Sequence, residues 1–98
     1  MKRADREPVE IYSRATNLWI IRTPGRQYPA MVVQRDSFNH LLALAESIAT
    51  RARECGDAEL TEEADELREL LSHRLAHYVG VLREYGVHVP FGPRAHST

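Results

Sequence analysis

Apolar and polar residues alternate near the start of the chain, in a pattern that predicts β-strands. Residues 8–13 read PVEIYS, and the alternation of Val9 and Ile11 with polar neighbours is typical of a half-buried strand. Residues 18–21 read LWII, an unbroken run rich in β-branched and aromatic side chains, which predicts a second, central strand. Residues 28–34, YPAMVVQ, predict a third strand.

The segment between the second and third predicted strands reads RTPGRQ. Proline presets φ at about −65° and glycine accepts the positive φ that follows, so Pro24 and Gly25 suit the central positions of a type II turn. Pro29 cannot donate a ladder hydrogen bond, which favours the start or the edge of a strand. We therefore expect an antiparallel hairpin with Arg22 and Arg26 beside its turn.

After the third strand, apolar residues recur every three or four positions and predict a first helix. Asp36 or Ser37 is expected to cap its start, and Gly56 to end it shortly after about Glu54. The predicted apolar stripe consists of Phe38, Leu41, Leu42, Ala45, Ile48, Ala49 and Ala52.

A second and longer helix is predicted from the acidic segment that begins at Thr61 up to Gly86. Its predicted apolar stripe consists of Ala64, Leu67, Leu71, Leu75, Tyr78, Leu82 and Tyr85. At 100° per residue, the opposite side of the helix carries Glu62, Glu66, Glu69, His73 and His77, which are expected to face solvent.

Three strands followed by two antiparallel helices predict an α+β fold, a two-layer sandwich in which the helices cover one face of a three-stranded antiparallel sheet. We expect a single domain over residues 8–91, with a flexible N-terminus at residues 1–7 and a flexible tail at residues 92–98. Residues 87–91, VHVPF, are expected to extend back over the sheet.

Composition and charge narrow the classes of protein that fit this pattern. The 98 residues are 43% hydrophobic and carry a formal net charge of −1, so no overall field attracts nucleic acid or an anionic membrane. No apolar run approaches the roughly 20 residues of a membrane helix, and the first residues, MKRADREP, do not resemble a signal peptide. Cys55 is the single cysteine, which fits a reducing compartment, and we expect a cytoplasmic protein.

Candidate catalytic and metal-binding groups are sparse. His73 and His77 have the i,i+4 spacing of metal ligands, with Glu69 in the same row, but they lie on the side expected to face solvent. No GxSxG segment occurs, and Ser37 is better explained as a helix cap than as a nucleophile. Cys55 is expected to be a buried or half-buried thiol without an adjacent base. We therefore expect no metal, no cofactor and no enzymatic activity.

The most patterned part of the chain is the run PGRQYPAMVVQRDS, together with the preceding EIYSRATN, the later RLAHY and the ending VPF. These segments resemble a family of short bacterial proteins of unknown function, with a shared run of the form PGRxYPxxVVQxDS. The likeness covers about residues 9–91. The resemblance implies a bacterial origin and a single domain, and it brings no reaction or cofactor.

The second strand is apolar on both sides, and a single layer of helices covers only one of them. Leu18 and Ile20 point to one side of the sheet, while Trp19 and Ile21 point to the other. A bare apolar patch of this kind is unusual for a monomer, so we expect a two-fold dimer or another protein to cover it. The expected interface contains the pair on the uncovered face, either Trp19 with Ile21 or Leu18 with Ile20. Met31 or Val33 is expected at its centre, with Arg22 and Arg26 at its rim.

These observations favour a small non-enzymatic protein that acts by protein–protein interaction, as an inhibitor, an immunity-type protein or a regulator. The alternative is a regulatory protein that binds nucleic acid through the arginine-bearing edge of the sheet. The acidic second helix and the lack of an exposed aromatic RNA-binding pattern weigh against it. A membrane partner is not expected, and no feature of the sequence indicates a small-molecule substrate.

Overall fold

The structure, a computed structural model, describes residues 2–88. Within that range the element order is β1 (Glu10–Ser13), β2 (Leu18–Arg22), β3 (Ala30–Val33), α1 (Arg35–Cys55) and α2 (Ala58–Glu84). The predicted α+β fold, a three-stranded antiparallel sheet followed by two helices, is confirmed. The predicted tail at residues 92–98, and the predicted extension from Val89 onwards, lie outside the described residues.

The sheet has the order β1-β2-β3, and β2 pairs antiparallel with both neighbours. The predicted turn joins β2 to β3: Gly25 has a φ of 81°, and the backbone N–H of Arg26 donates a hydrogen bond of 3.2 Å to the carbonyl oxygen of Thr23. Leu18 lies opposite Val33 in the register of β2 and β3. The pairing of β1 with β2 shifts between Ile11 and Ser13, where β1 contains an irregularity.

The first helix begins one residue earlier than the cap residues proposed from the sequence. It starts at Arg35, and the preceding Gln34 makes no side-chain capping hydrogen bond. Asp36 and Ser37 are therefore not N-caps; instead the Oδ1 atom of Asp36 accepts a hydrogen bond from the N–H of Ser37 at 2.8 Å. The carboxylate still lies in the first turn, where negative charge stabilises a helix. The predicted stop at Gly56, which has a φ of 75°, is confirmed.

The second helix begins at Ala58 and not at Thr61, because Asp57 supplies an earlier cap. The Oδ1 atom of Asp57 accepts a hydrogen bond from the N–H of Leu60 at 3.0 Å, which satisfies one of the free amides of the first turn. Gly86, with a φ of 69°, follows the helix as predicted. The N–H of Val87 reaches back to the carbonyl oxygen of Leu82 at 2.9 Å, as in a Schellman motif.

The two antiparallel helices pack against each other and hold the buried core. Among residues 2–88, the buried side chains are Leu42, Ala45, Ala49, Ala52, Ala64, Leu75 and Val79. Alanines dominate this list, and their small side chains let two helices approach closely. An ion pair of 2.7 Å between Arg53 Nη2 and Asp65 Oδ1 links the helices beside these alanines.

Part of each predicted helix stripe is exposed. Leu41 and Ile48 of α1 are 46% and 47% exposed, and Leu67 and Tyr78 of α2 are 45% and 41% exposed, whereas Val79 is buried. Membership of an apolar stripe therefore does not mean burial for these four residues, because the apolar sector of each helix is wider than one neighbouring helix can cover. The prediction that Glu66, Glu69, His73 and His77 face solvent is confirmed.

The sheet contributes little to the core. Of residues 2–88, none in a strand is buried, and the helices cover the expected face only partly, since Met31 is 67% exposed. The solvent-accessible surface of 7885 Å² exceeds the roughly 5700 Å² expected for a compact monomer of 11.2 kDa. The radius of gyration, 16.5 Å, likewise exceeds the value of about 13 Å for a compact domain of this length.

Residues 2–7 run back to the far end of the second helix. Lys2 Nζ lies 3.2 Å from Glu84 Oε1 and 5.9 Å from the centre of the Tyr85 ring. Both charged groups of the ion pair are more than half exposed, so the contact contributes little to stability.

Candidate interaction surface

The apolar residues proposed as an interface lie on the two opposite faces of the sheet. Opposite residues in the register of β2 and β3 share a face, so Leu18 and Val33 lie on one side together with Ile20 and Met31. We call this side the groove face, because it borders the helices. Ile20 is half-buried, whereas the other side chains of the groove face are exposed.

Trp19 and Ile21 lie on the opposite side of the sheet, which we call the outer face. Ile11 of β1 is opposite Ile21 in the register and shares this face. The guanidinium carbon of Arg14 lies 5.7 Å from the centre of the Trp19 ring, within the range of a cation–π interaction. Trp19 is 39% exposed, so the arginine shields the indole only in part.

A groove of about 240 Å³ separates the groove face from the helices. Its walls are formed by Met31 and Val33 of the sheet, by Arg35 and Phe38 of α1, and by Arg74, Leu75 and Tyr78 of α2. The volume is below the range of about 300 to 1000 Å³ that is typical of small-molecule sites. A groove of this size and apolar character fits a side chain of another protein better than a cofactor.

The sequence patterns did not predict the helical walls of this groove. Phe38, Leu75 and Tyr78 belong to the predicted helix stripes, and those stripes indicate only contacts between the two helices. Their position beside Met31 depends on where the hairpin places the sheet relative to α2. No periodicity within one element carries that information, and only the apolar character of Tyr78 and Phe38 indicated a buried or half-buried environment.

Arg22 is engaged in the sheet. Its Nε and Nη2 atoms lie 2.6 Å and 2.5 Å from Oε1 of Glu10, the residue opposite it on β1. Its Nη1 atom donates to the carbonyl oxygen of Arg26 at 3.3 Å. Arg22 therefore ties β1 to the turn between β2 and β3, and its capacity to contact a partner is reduced. The side chain of Arg26 is exposed beside this turn.

The same cluster shifts two pKa values. The hydrogen bond from Arg22, and a second one of 3.1 Å from the hydroxyl of Tyr12, lower the pKa of Glu10 because both stabilise the carboxylate. The hydrogen bond to Glu10 raises the pKa of Arg22. Both groups are exposed, and solvent therefore screens the pair.

The candidate metal ligands and the cysteine are on the surface. His73, His77 and Glu69 are exposed on α2, and residues 2–88 contain no cluster of three or more histidine, cysteine, aspartate or glutamate side chains arranged to hold a metal. Cys55 is exposed, and the expectation of a buried or half-buried thiol is wrong, because the end of α1 turns this residue away from α2. Neither helix in the described part of the chain has the length and apolar character needed to cross a bilayer.

The fold and this surface define a small α+β domain with a helical hairpin and a sheet whose apolar side chains are largely exposed. The chain belongs to a family of unknown function, DUF6959, whose model matches residues 4–91. The resemblance noted in the sequence is thereby confirmed at the level of the family. No curated protein matches the chain, and no solved structure matches it.

Proposed function

We propose that the protein is non-enzymatic and acts by binding another protein through the groove face of its sheet. The observation that carries the proposal is the exposure of Met31, Val33 and Leu18 beside the groove. A large exposed apolar patch on a small protein commonly marks an interaction site. An inhibitor, an immunity-type protein or a regulator would use such a surface without any catalytic group.

Charge indicates the chemistry of the partner. Between residues 8 and 34, Glu10 is the only acidic residue and already pairs with Arg22, whereas Arg26 is an exposed basic residue beside the turn. Arg74 adds an exposed guanidinium group at the wall of the groove. We infer that the partner presents an apolar side chain with acidic neighbours, because complementary charges fix the register of an interface and exclude other partners.

The alternative of nucleic-acid binding receives less support from the described residues. Arg22 is held by Glu10, and Arg14 is stacked on Trp19, so two of the arginines considered for phosphate contacts already have partners. The second helix is acidic and borders the groove through Arg74, Leu75 and Tyr78.

The reducing compartment proposed from the single cysteine remains our expectation, and the exposed thiol of Cys55 fits it.

The proposal is tested by selecting displayed peptides on the purified protein and measuring the affinity of the selected peptides by fluorescence anisotropy. We expect peptides that combine a large apolar residue with acidic residues. Met31→Asp places a charge at the centre of the groove face and should weaken their binding by at least about a hundredfold. The matched control is Val87→Asp, which introduces the same charge at a half-exposed position outside the groove and should leave peptide binding unchanged.

Equal binding to wild type and Met31→Asp would contradict the groove as the binding site. Failure to select any peptide would contradict the proposed function itself. Labelled DNA and RNA oligonucleotides measured at low and moderate salt test the alternative, because phosphate contacts make affinity fall steeply as salt rises. Tight and salt-sensitive binding of an oligonucleotide would replace the proposal with that alternative.

A further inference from the structure

A second exposed apolar surface lies on the helical hairpin, between the groove and the loop that joins the two helices. On α1 it consists of Leu41, Leu44 and Ile48, and on α2 of Leu60, Leu67 and Leu70; we call these residues the hairpin face. Each of these side chains is between 42% and 48% exposed. Their spacings, i, i+3 and i+7 on α1 and i, i+7 and i+10 on α2, place the members on each helix in one row.

Both rows have the same rotational relation to the buried core. Leu41, Leu44 and Ile48 each come one position before a buried residue, and one position corresponds to a rotation of about 100° around a helix. On α2, Leu60, Leu67 and Leu70 likewise each come one position before a half-buried residue, namely Thr61, Arg68 and Leu71. The two helices are antiparallel, and an equal rotation on two antiparallel helices brings both rows to the same side of the hairpin.

This arrangement is the one that a helix in a four-helix bundle requires. Such a helix contacts two neighbours, so it needs two apolar rows roughly 90° apart. Each helix here has two such rows, of which α1 and α2 use one against each other. The remaining rows lie side by side and form a surface that is two helices wide, which is the half-bundle that a second helical hairpin would complete.

The exposed surface area is large enough for an interface with a second copy of the chain. The chain as a whole exposes roughly 2000 Å² more than a compact monomer of its mass, an excess to which the sheet and the hairpin face both contribute, and an interface of standard size buries about 800 Å² on each partner. A two-fold interface uses the same patch on both subunits, so a face made of leucine and isoleucine throughout is complementary to itself. We propose that two copies of this chain associate through the hairpin face to form a four-helix bundle. This association rests on different residues from the proposed function, whose groove begins one turn further along each helix, at Phe38 and Arg74.

Light scattering on the full chain at tens of micromolar tests the association. We expect wild type to have the mass of two chains. Leu44→Asp combined with Leu67→Asp places unpaired charges in the interface and should raise the dissociation constant by more than about a hundredfold, giving the mass of one chain. Far-ultraviolet circular dichroism should report unchanged helix content, because both positions are already half exposed in one chain. The matched control Met31→Asp should keep the mass of two chains.

A second measurement avoids introducing charge. In a Cys55→Ser background, Ile48→Cys carries its single thiol on the hairpin face, and Met31→Cys carries it on the groove face. We expect the rate of thiol labelling at position 48 to fall at least about tenfold as the protein is concentrated from the monomeric to the dimeric range, since only the dissociated fraction reacts. The rate at position 31 should stay constant.

Several results would overturn the proposal. Wild type with the mass of one chain at all concentrations would exclude the dimer. A dimer that Met31→Asp dissociates and Leu44→Asp with Leu67→Asp does not would move the interface to the sheet. A labelling rate at position 48 that does not depend on concentration would mean that the hairpin face stays open, or is covered by something other than a second copy.

Discussion

The helical hairpin and the sheet differ in how far each completes its own packing. The hairpin contains all the buried side chains among residues 2–88, whereas the strands of the sheet contain none. Both regions have apolar residues at the spacing of their secondary structure. The difference therefore lies in what covers those residues and not in how many apolar residues each region has.

Geometry explains the contrast. Two long antiparallel helices line up along many turns, and alanines at Ala49, Ala52 and Ala64 let them approach closely enough to exclude water. The strands are short, at four or five residues, and a small sheet of this kind depends on packing against another layer for its stability. The groove shows that the helices provide that layer only in part. The sheet, whose apolar side chains are incompletely covered, is thus the region where we place partner binding.

The largest expected effect of a mutation separates the two regions directly. Leu42 is 2% exposed, and Leu42→Ala should lower the free energy of unfolding by about 2 to 5 kcal/mol, because it removes buried contacts and leaves a cavity. Met31→Ala should change it by no more than about 0.5 kcal/mol, because the side chain is mostly exposed. Denaturant unfolding of both variants, at one protein concentration, measures this difference. Similar losses would mean that the sheet is packed much more tightly than the exposed fractions indicate.

A smaller effect is expected at the connection between the helices. Asp57→Ala removes the hydrogen bond to the N–H of Leu60 and should lower stability by about 1 kcal/mol. Asp57→Asn retains an oxygen acceptor at this position and should restore most of the loss. If the alanine variant is as stable as wild type, the start of α2 at Ala58 does not depend on this cap. The predicted start of the helix at Thr61 would then be supported instead.

Sequence patterns predicted the elements well because strand alternation, the Pro24-Gly25 turn and the glycines that follow each helix are local signals. The start of α2 was placed too late, since the acidic run after Thr61 concealed the cap at Asp57. Asp57, a short acidic residue directly before the helical pattern, was the signal that could have predicted the start at Ala58.

Sequence periodicity could not predict which of two apolar rows on one helix is buried. Leu41 and Leu42 are neighbours with equal apolar character, yet one is exposed and the other buried. Periodicity defines a broad apolar sector, and only the position of the second helix decides which part of the sector is covered. The groove was missed for the same reason, because it depends on how the sheet meets α2.

The smallest effect concerns the ion pair within the sheet. The pKa of Glu10 is lowered in the folded protein, so the pair stabilises the fold at pH values above the ordinary carboxyl pKa of 4.5, and this stabilisation is lost as the pH falls through the lowered value. Glu10→Gln should therefore reduce the melting temperature slightly at neutral pH and leave it unchanged in strong acid. Thermal melts of both proteins across this pH range measure the difference. A Glu10→Gln effect that persists in strong acid would show that the carboxylate charge is not its cause.

The dependence of the melting temperature on protein concentration tests most directly whether the apolar faces left open by one chain are closed by another. If folding is coupled to association through the hairpin face, a hundredfold increase in concentration should raise the melting temperature of wild type by about 5 to 10 °C. The melting temperature of Leu44→Asp combined with Leu67→Asp should not change with concentration. A wild-type melting temperature that is constant over the same range would contradict the association and leave the hairpin face without its proposed partner.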